Sequence, residues 1–233
     1  MKFKEYLVVY KELEKPASTF FHRHVSKNGA KVFSFVALKI GLSPNAISFL
    51  SFILLFLGCF LITTGNEMSL WFSLLALQLS YICDCSDGVV ARFTKTSSNF
   101  GGYLDIFLDR VGGAIFLATL SYFAFAVLGV DNVFLFSSSL LLFYFYHLSA
   151  TFRPYYFPEL KGYMKRKGSE GSVMPLLKAF VKFTYEFIDS GIFYFVMCIS
   201  LIFGWLEMVA YFYGLVASIL LSANILFLYK HKR

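Results

Sequence analysis

Apolar residues fall into long blocks separated by short polar breaks, at roughly 46–64, 70–92, 101–128, 132–152, 179–203 and 206–229. Each block is about 20 residues or longer, the length a helix needs to cross a hydrocarbon core about 30 Å thick. The pattern predicts an all-α polytopic membrane protein with six transmembrane helices. Residues 1–45 differ, because charge is interleaved with apolar groups there. Phe3, Leu7, Val8 and Tyr10 set against Lys2, Lys4, Lys11 and Lys15 predict an N-terminal amphipathic juxtamembrane helix. It lies either on the membrane surface or on the protein's own cytoplasmic face, and Pro16 ends or restarts it. Leu42-Ser43-Pro44-Asn45 reads as a turn into the first span, with Pro44 suited to a helix start.

Composition narrows the class. Of 233 residues, 58% are hydrophobic, 20% aromatic and only 15% charged, which excludes a soluble domain. The length suits one membrane domain over 1–233 rather than two, and no internal repeat or low-complexity tail interrupts it. Cys59, Cys83, Cys85 and Cys198 lie in or beside apolar blocks without a CxxC pair, so they read as packing residues rather than zinc ligands or disulfides. The first 45 residues hold no signal-peptide core, so a mature N-terminus at Met1 is expected.

Charge sets the orientation. All 21 Lys and Arg fall in residues 1–45, around Arg92 to Arg110, in residues 153–182 or at the C-terminus. The alternate turns hold none of them and carry Glu67, Asp131 and Glu207. By the positive-inside rule both termini are expected in the cytoplasm. The net charge of +7 therefore suits anionic lipid headgroups, and no nucleic-acid motif accompanies it.

Against this apolar background stands the stretch from Asp84 to Asp109. Intramembrane acid is unfavourable and marks function. On a helix, Asp84, Asp87, Gly88 and Ala91 share a stripe about 100° wide with Arg92 at its edge. After a polar break at Lys95 to Asn99, Gly101, Asp105 and Asp109 follow at i, i+4 and i+8 along one face. Two helices can thus aim four carboxylates at one point, which asks for one or two hard divalent cations to offset their repulsion. With no His or Cys at ligand spacing, magnesium or manganese is expected over zinc. The small residues admit a ligand close to the backbone, and Arg92 offers a fork for phosphate oxygens.

The pattern DxxDGxxAR, then eight residues, then GxxxDxxxD resembles the signature of the CDP-alcohol phosphotransferase family, with every fixed position present. The Pro44-Asn45 pair is also similar to that family. The resemblance implies a six-helix membrane enzyme of phospholipid biosynthesis, usually a homodimer, that transfers a phosphatidyl or phosphoalcohol group from a CDP-linked donor to an acceptor hydroxyl and releases CMP. It implies Asp84, Asp87 and Asp105 as metal ligands, with Asp109 completing the metal site and serving as base. Gly88, Ala91 and Arg92 would lie along the CDP moiety, with Gly101 leaving space beside it. The short chain and the lack of His after Asp105 look closer to members that use CDP-diacylglycerol and a polyol or polyol phosphate. The Asp109-Arg110 pair resembles the inositol-phosphate branch.

Other polar residues carry weaker expectations. Arg110 and Arg153 are candidates for an acceptor phosphate, or for headgroup or structural ion pairs. Lys165 to Lys167 read as a basic cytoplasmic loop. Glu186 and Asp189 either touch acceptor hydroxyls or pair with Lys182 and cap a helix. His22 and His24 read as exposed polar groups, and His147 as a hydrogen-bonded interhelix residue. The competing functions are choline- or ethanolamine-type transfer from a soluble CDP-alcohol to diacylglycerol, and a non-enzymatic ion transporter using intramembrane acid. Further rivals are a membrane prenyltransferase, which needs two separated aspartate motifs, and a silent scaffold.

Overall fold

The computed structural model describes residues 2–14, 19–156 and 189–231. Among them it contains helices and no strands. A short helix α1 (Phe3–Leu13) is followed by a π-helical turn, His22–Ser26, that runs into α2 (Lys27–Ile40). Six further helices follow: α3 (Pro44–Thr63), α4 (Glu67–Phe93), α5 (Asn99–Ala126), α6 (Val133–Tyr156), α7 (Ser190–Ile202) and α8 (Leu206–His231). Helices α3, α4, α5 and the Leu206–Leu226 part of α8 are long and apolar enough to cross a membrane. The apolar stretches Val133–Ser149 and Ser190–Ile202 are shorter. The span expected at 179–203 begins outside the described residues.

Helix ends follow local chemistry. Gly41 takes φ +73°, the left-handed conformation that closes α2 without a Cβ clash. Ser43 then accepts the Ala46 N–H and Pro44 opens α3. Asn66 caps α4, Ser98 caps α5 and Asp189 caps α7 through their side-chain oxygens.

Two packing groups position the site. In the first, α3, α4 and α5 lie close together. Ser51 donates to the Ser80 carbonyl at 2.9 Å and Ser80 to the Ser51 carbonyl at 2.8 Å, so the hydroxyls join α3 to α4 reciprocally. A Cβ on Gly58 would stand 2.7 Å from Leu77, and one on Gly112 2.9 Å from the Leu55 Cδ1, so the helices approach closely at both glycines. In the second, α6, α7 and α8 pack through Phe143, Phe193 and Tyr213, whose rings meet at 4.2 to 5.0 Å between centroids. The core joins the two groups through Phe116, Leu120, Met197 and Leu206. Outward faces carry Phe56, Phe60, Phe72, Leu75 and Phe125, all exposed. With four membrane-capable helices, this apolar exterior identifies an integral membrane protein.

Helix α1 covers Phe3–Leu13, and its buried face differs from the expected apolar stripe. Tyr6 and Tyr10 are fully buried against Val89, while Val8 is 64% exposed. The tyrosines win because each buries its ring and still places its hydroxyl, Tyr6 against Ser34 Oγ at 2.6 Å and Tyr10 on the Lys27 carbonyl at 3.4 Å. Pro16 lies outside the described residues.

Candidate functional site at the α4–α5 aspartates

Helix α4 carries Asp84 and Asp87, and helix α5 carries Asp105 and Asp109. The link between them is short, and Lys95 turns it with φ 56°. Thr94 and Thr96 close the turn by a hydroxyl pair at 2.7 Å, and the Thr96 N–H reaches back to the Ala91 carbonyl at 3.0 Å. The short turn brings the acidic residues at the end of α4 near those at the start of α5.

Asp84, Asp87 and Asp105 each offer an oxygen within 4.8 Å of the others. Asp109 falls outside that set of three, although it borders a small cavity of about 20 Å³ with Asp84 and Asp105. Asp87 is buried, and Ser48 on α3 donates to its Oδ2 at 2.5 Å. Acidic oxygens this close, in an apolar bundle, make a donor set suited to a hard cation.

Two larger cavities flank the aspartates. One, of about 170 Å³, runs over Gly88, Ala91, Arg92 and Gly101 and includes Asn45, Ser48, Asp87 and Asp105. Its walls come from the small residues of the motif and from the α3 start. A Cβ on Gly101 would stand 3.2 Å from Ser98 Oγ and 3.4 Å from Asn45 Oδ1, so a side chain there would press on this wall. The other cavity, of about 230 Å³, is bounded by all four aspartates and by Tyr10, Glu14, His22, Lys27 and Arg92 from the N-terminal side. Arg92 and Gly88 border both.

The profile described as CDP-alcohol phosphatidyltransferase matches residues 41–220, which takes in the whole aspartate centre. The chain belongs to that family. A 48-residue segment is 48% identical to archaetidylinositol phosphate synthase of Aeropyrum pernix, covering 21% of this chain. The match spans 25% of the length of that relative.

In this family member the remaining candidates separate. Arg110 borders a cavity of about 40 Å³ with Asp109, Tyr144 and His147, and its carbonyl accepts the Tyr144 hydroxyl at 2.9 Å. Arg153 lies on α6, but its side chain lies outside the described residues, as do Glu186, Lys182 and Lys165 to Lys167. His147 stacks edge-on against Phe143 at 4.6 Å.

Several residues around the centre carry no periodic signal in the sequence. Asp189 caps α7 by accepting the Gly191 N–H at 3.0 Å and the Ile192 N–H at 3.4 Å, so its capping role holds. It also accepts the Tyr81 hydroxyl at 3.0 Å and lies 3.8 Å from His22 Nδ1. His22 is thus half-buried rather than exposed, and His24 remains exposed. Burial pushes the His22 pKa below its ordinary 6.5, and the Asp189 carboxylate partly opposes that shift. In the sequence Ser48 shows only as a polar residue one turn inside an apolar helix, as Ser51 does one turn further on. Asp189 and His22 meet α4 only through tertiary packing.

Proposed function

We propose that the protein is a metal-dependent transferase of phospholipid biosynthesis. It passes a phosphatidyl group from a CDP-linked donor of the CDP-diacylglycerol kind to a hydroxyl of a polyol or polyol phosphate, and CMP leaves. The observation that carries this reading is the convergence of Asp84, Asp87 and Asp105 inside an apolar bundle, within the family match. An all-oxygen donor set fits magnesium or manganese. Asp84, Asp87, Asp105 and Asp109 would hold the metal, as a pair of ions. Bound there, the metal supplies neutralisation of the diphosphate charge and a template for in-line displacement.

The chain's own residues divide the other tasks. Gly88, Ala91 and Gly101 leave the 170 Å³ cavity open to the CDP moiety, and the Arg92 guanidinium takes diphosphate oxygens. Asp109, exposed toward the cavities, accepts the proton of the acceptor hydroxyl. The acceptor oxygen then bonds to the donor's lipid-side phosphorus, the P–O bond to CMP breaks, and CMP departs with the electron pair. Arg110 and Arg153 receive an acceptor phosphate. Support for a polyol phosphate acceptor comes from the archaetidylinositol phosphate synthase match and the Asp109-Arg110 pair.

In the membrane, α6 and α7 complete six spans, the placement of Lys and Arg puts both termini and the aspartates on the cytoplasmic side, and the enzyme works as a homodimer. The test is CMP release by purified protein with CDP-diacylglycerol and manganese or magnesium. Glycerol 3-phosphate, inositol, inositol 1-phosphate, serine and glycerol are added singly. CMP formation with one acceptor, lost in Asp105→Asn and in chelator, is expected. No CMP with any acceptor, and none with soluble CDP-alcohols plus diacylglycerol, would overturn the proposal.

A further inference from the structure

We infer that the N-terminal helix α1 is a positioning element of the donor site: its last carbonyl, that of Leu13, holds the Arg92 guanidinium in place for the diphosphate. The inference rests on the donor-site reading of Arg92 given above. Arg92 Nε donates to Leu13 O at 2.8 Å, across 79 residues of sequence. The last carbonyls of a helix lack intrahelical partners and carry partial negative charge, so a guanidinium there satisfies both needs. Arg presents its N–H groups in a rigid planar fork. Fixing Nε on Leu13 therefore fixes the plane of the whole fork and leaves the two terminal nitrogens for a ligand.

Those nitrogens lie over Gly88, where a Cβ would stand 3.0 Å from Nη1, and Arg92 borders both large cavities. Without a fixed plane, a half-buried arginine would reach the diphosphate only after giving up several side-chain rotamers. Leu13 removes that loss in advance.

The helix end is itself pinned. Lys27 Nζ meets Glu14 Oε2 at 3.1 Å, one residue past Leu13, and both side chains are largely shielded. Tyr6 and Tyr10 bury their rings against Val89, with Phe93 packed alongside, and these two residues flank Arg92 on α4. A helix serving only to lie on lipid would keep its apolar face outward. This one turns its two tyrosines inward and ends on a motif residue.

The experiment uses the full chain in nanodiscs. Lys27→Met and Tyr6→Ala perturb the pin from two sides, with Lys27→Arg as the conservative control and Arg92→Ala as the reference. The readouts are CDP affinity by calorimetry with manganese present, and KM and kcat for CMP release. Lys27→Met and Tyr6→Ala are each expected to raise the CDP Kd and donor KM about 5- to 10-fold, as loss of preorganisation does. Manganese affinity, acceptor KM and kcat should stay within about twofold, and Lys27→Arg should match the wild type. In an Arg92→Ala background, Lys27→Met should add no further loss, since the two act through one contact. Unchanged CDP affinity in both pin variants, or an equal loss with and without Arg92, would overturn the inference while leaving the donor site standing. Wild-type CDP affinity in Arg92→Ala would instead remove the donor-site reading itself.

Discussion

Ser48→Ala isolates the support that α3 gives to the aspartate centre. Ser48 Oγ lies 2.5 Å from Asp87 Oδ2 and 3.2 Å from the Pro44 carbonyl. A hydroxyl has one proton. The shorter distance and the charged acceptor place it on the carboxylate. A hydrogen bond to a charged group contributes about 1.5–3 kcal/mol, which sets the upper range of the effect. Groups that orient a metal-binding carboxylate typically alter affinity by roughly 10- to 100-fold when removed. Ser48→Ala should therefore weaken manganese binding by about tenfold or more. The helix should survive, because alanine favours helix and only one hydroxyl is lost. Manganese titration followed by electron paramagnetic resonance measures the affinity, and thermal unfolding without metal checks the fold. Affinity within twofold of wild type at an unchanged Tm would refute the argument, since Asp87 would then be oriented without its only α3 hydroxyl partner among the described residues.

Three further outcomes follow from the geometry. Asp189→Ala removes a cap worth about 1 kcal/mol and strands the Tyr81 hydroxyl, so thermal unfolding should show a loss of about 2 kcal/mol or more; an unshifted Tm would contradict the cap. Burial lowers the His22 pKa, so below about 6.5 the unfolded chain takes up a proton that the folded chain resists. The His22 contribution is therefore full above that pH and is lost as pH falls through it, and His22→Gln should flatten the decline in Tm between pH 7.5 and 5.5. Gly88→Ala places a methyl 3.0 Å from Arg92 Nη1, and should raise the CDP Kd at least tenfold with manganese affinity kept, as read by calorimetry.

The sequence made some of this legible and hid the rest for physical reasons. The grouping of Asp84, Asp87 and Asp105 was readable because helix periodicity turns spacing into a shared face and acid is rare in an apolar block, whereas Asp109 stands outside that trio and borders a cavity with Asp84 and Asp105. The helices α3, α4, α5 and α8 were readable from length and hydropathy, with ends displaced by a few residues where Ser43, Asn66 and Ser98 cap them. The buried face of α1 was misjudged at Val8 because hydropathy undervalues tyrosine, whose ring packs while its hydroxyl bonds. Asp189 and His22 approach Tyr81 from opposite sides of α4 in sequence, and no local spacing announces a meeting made by tertiary packing. Ser48 was one polar residue in a span, and only its distance to Asp87 distinguishes it from the other serines of α3.

The division of the bundle has a consequence for how the molecule is made. Asp84, Asp87, Asp105, Asp109, Ser48 and Arg92, with the helix that holds Arg92, all precede the turn at Gly129. The ribosome thus finishes all four aspartates before α6 is begun, and the loops that join them are short enough to close at small entropic cost. The later helices arrive as a buttress, through α7 against α4 and Phe116 against Tyr194. A gene divided at that turn would yield two polypeptides, one carrying the four aspartates and one the brace, joined by apolar packing around Phe116 and Phe193 and by polar links such as Tyr81 to Asp189 and Tyr144 to the Arg110 carbonyl.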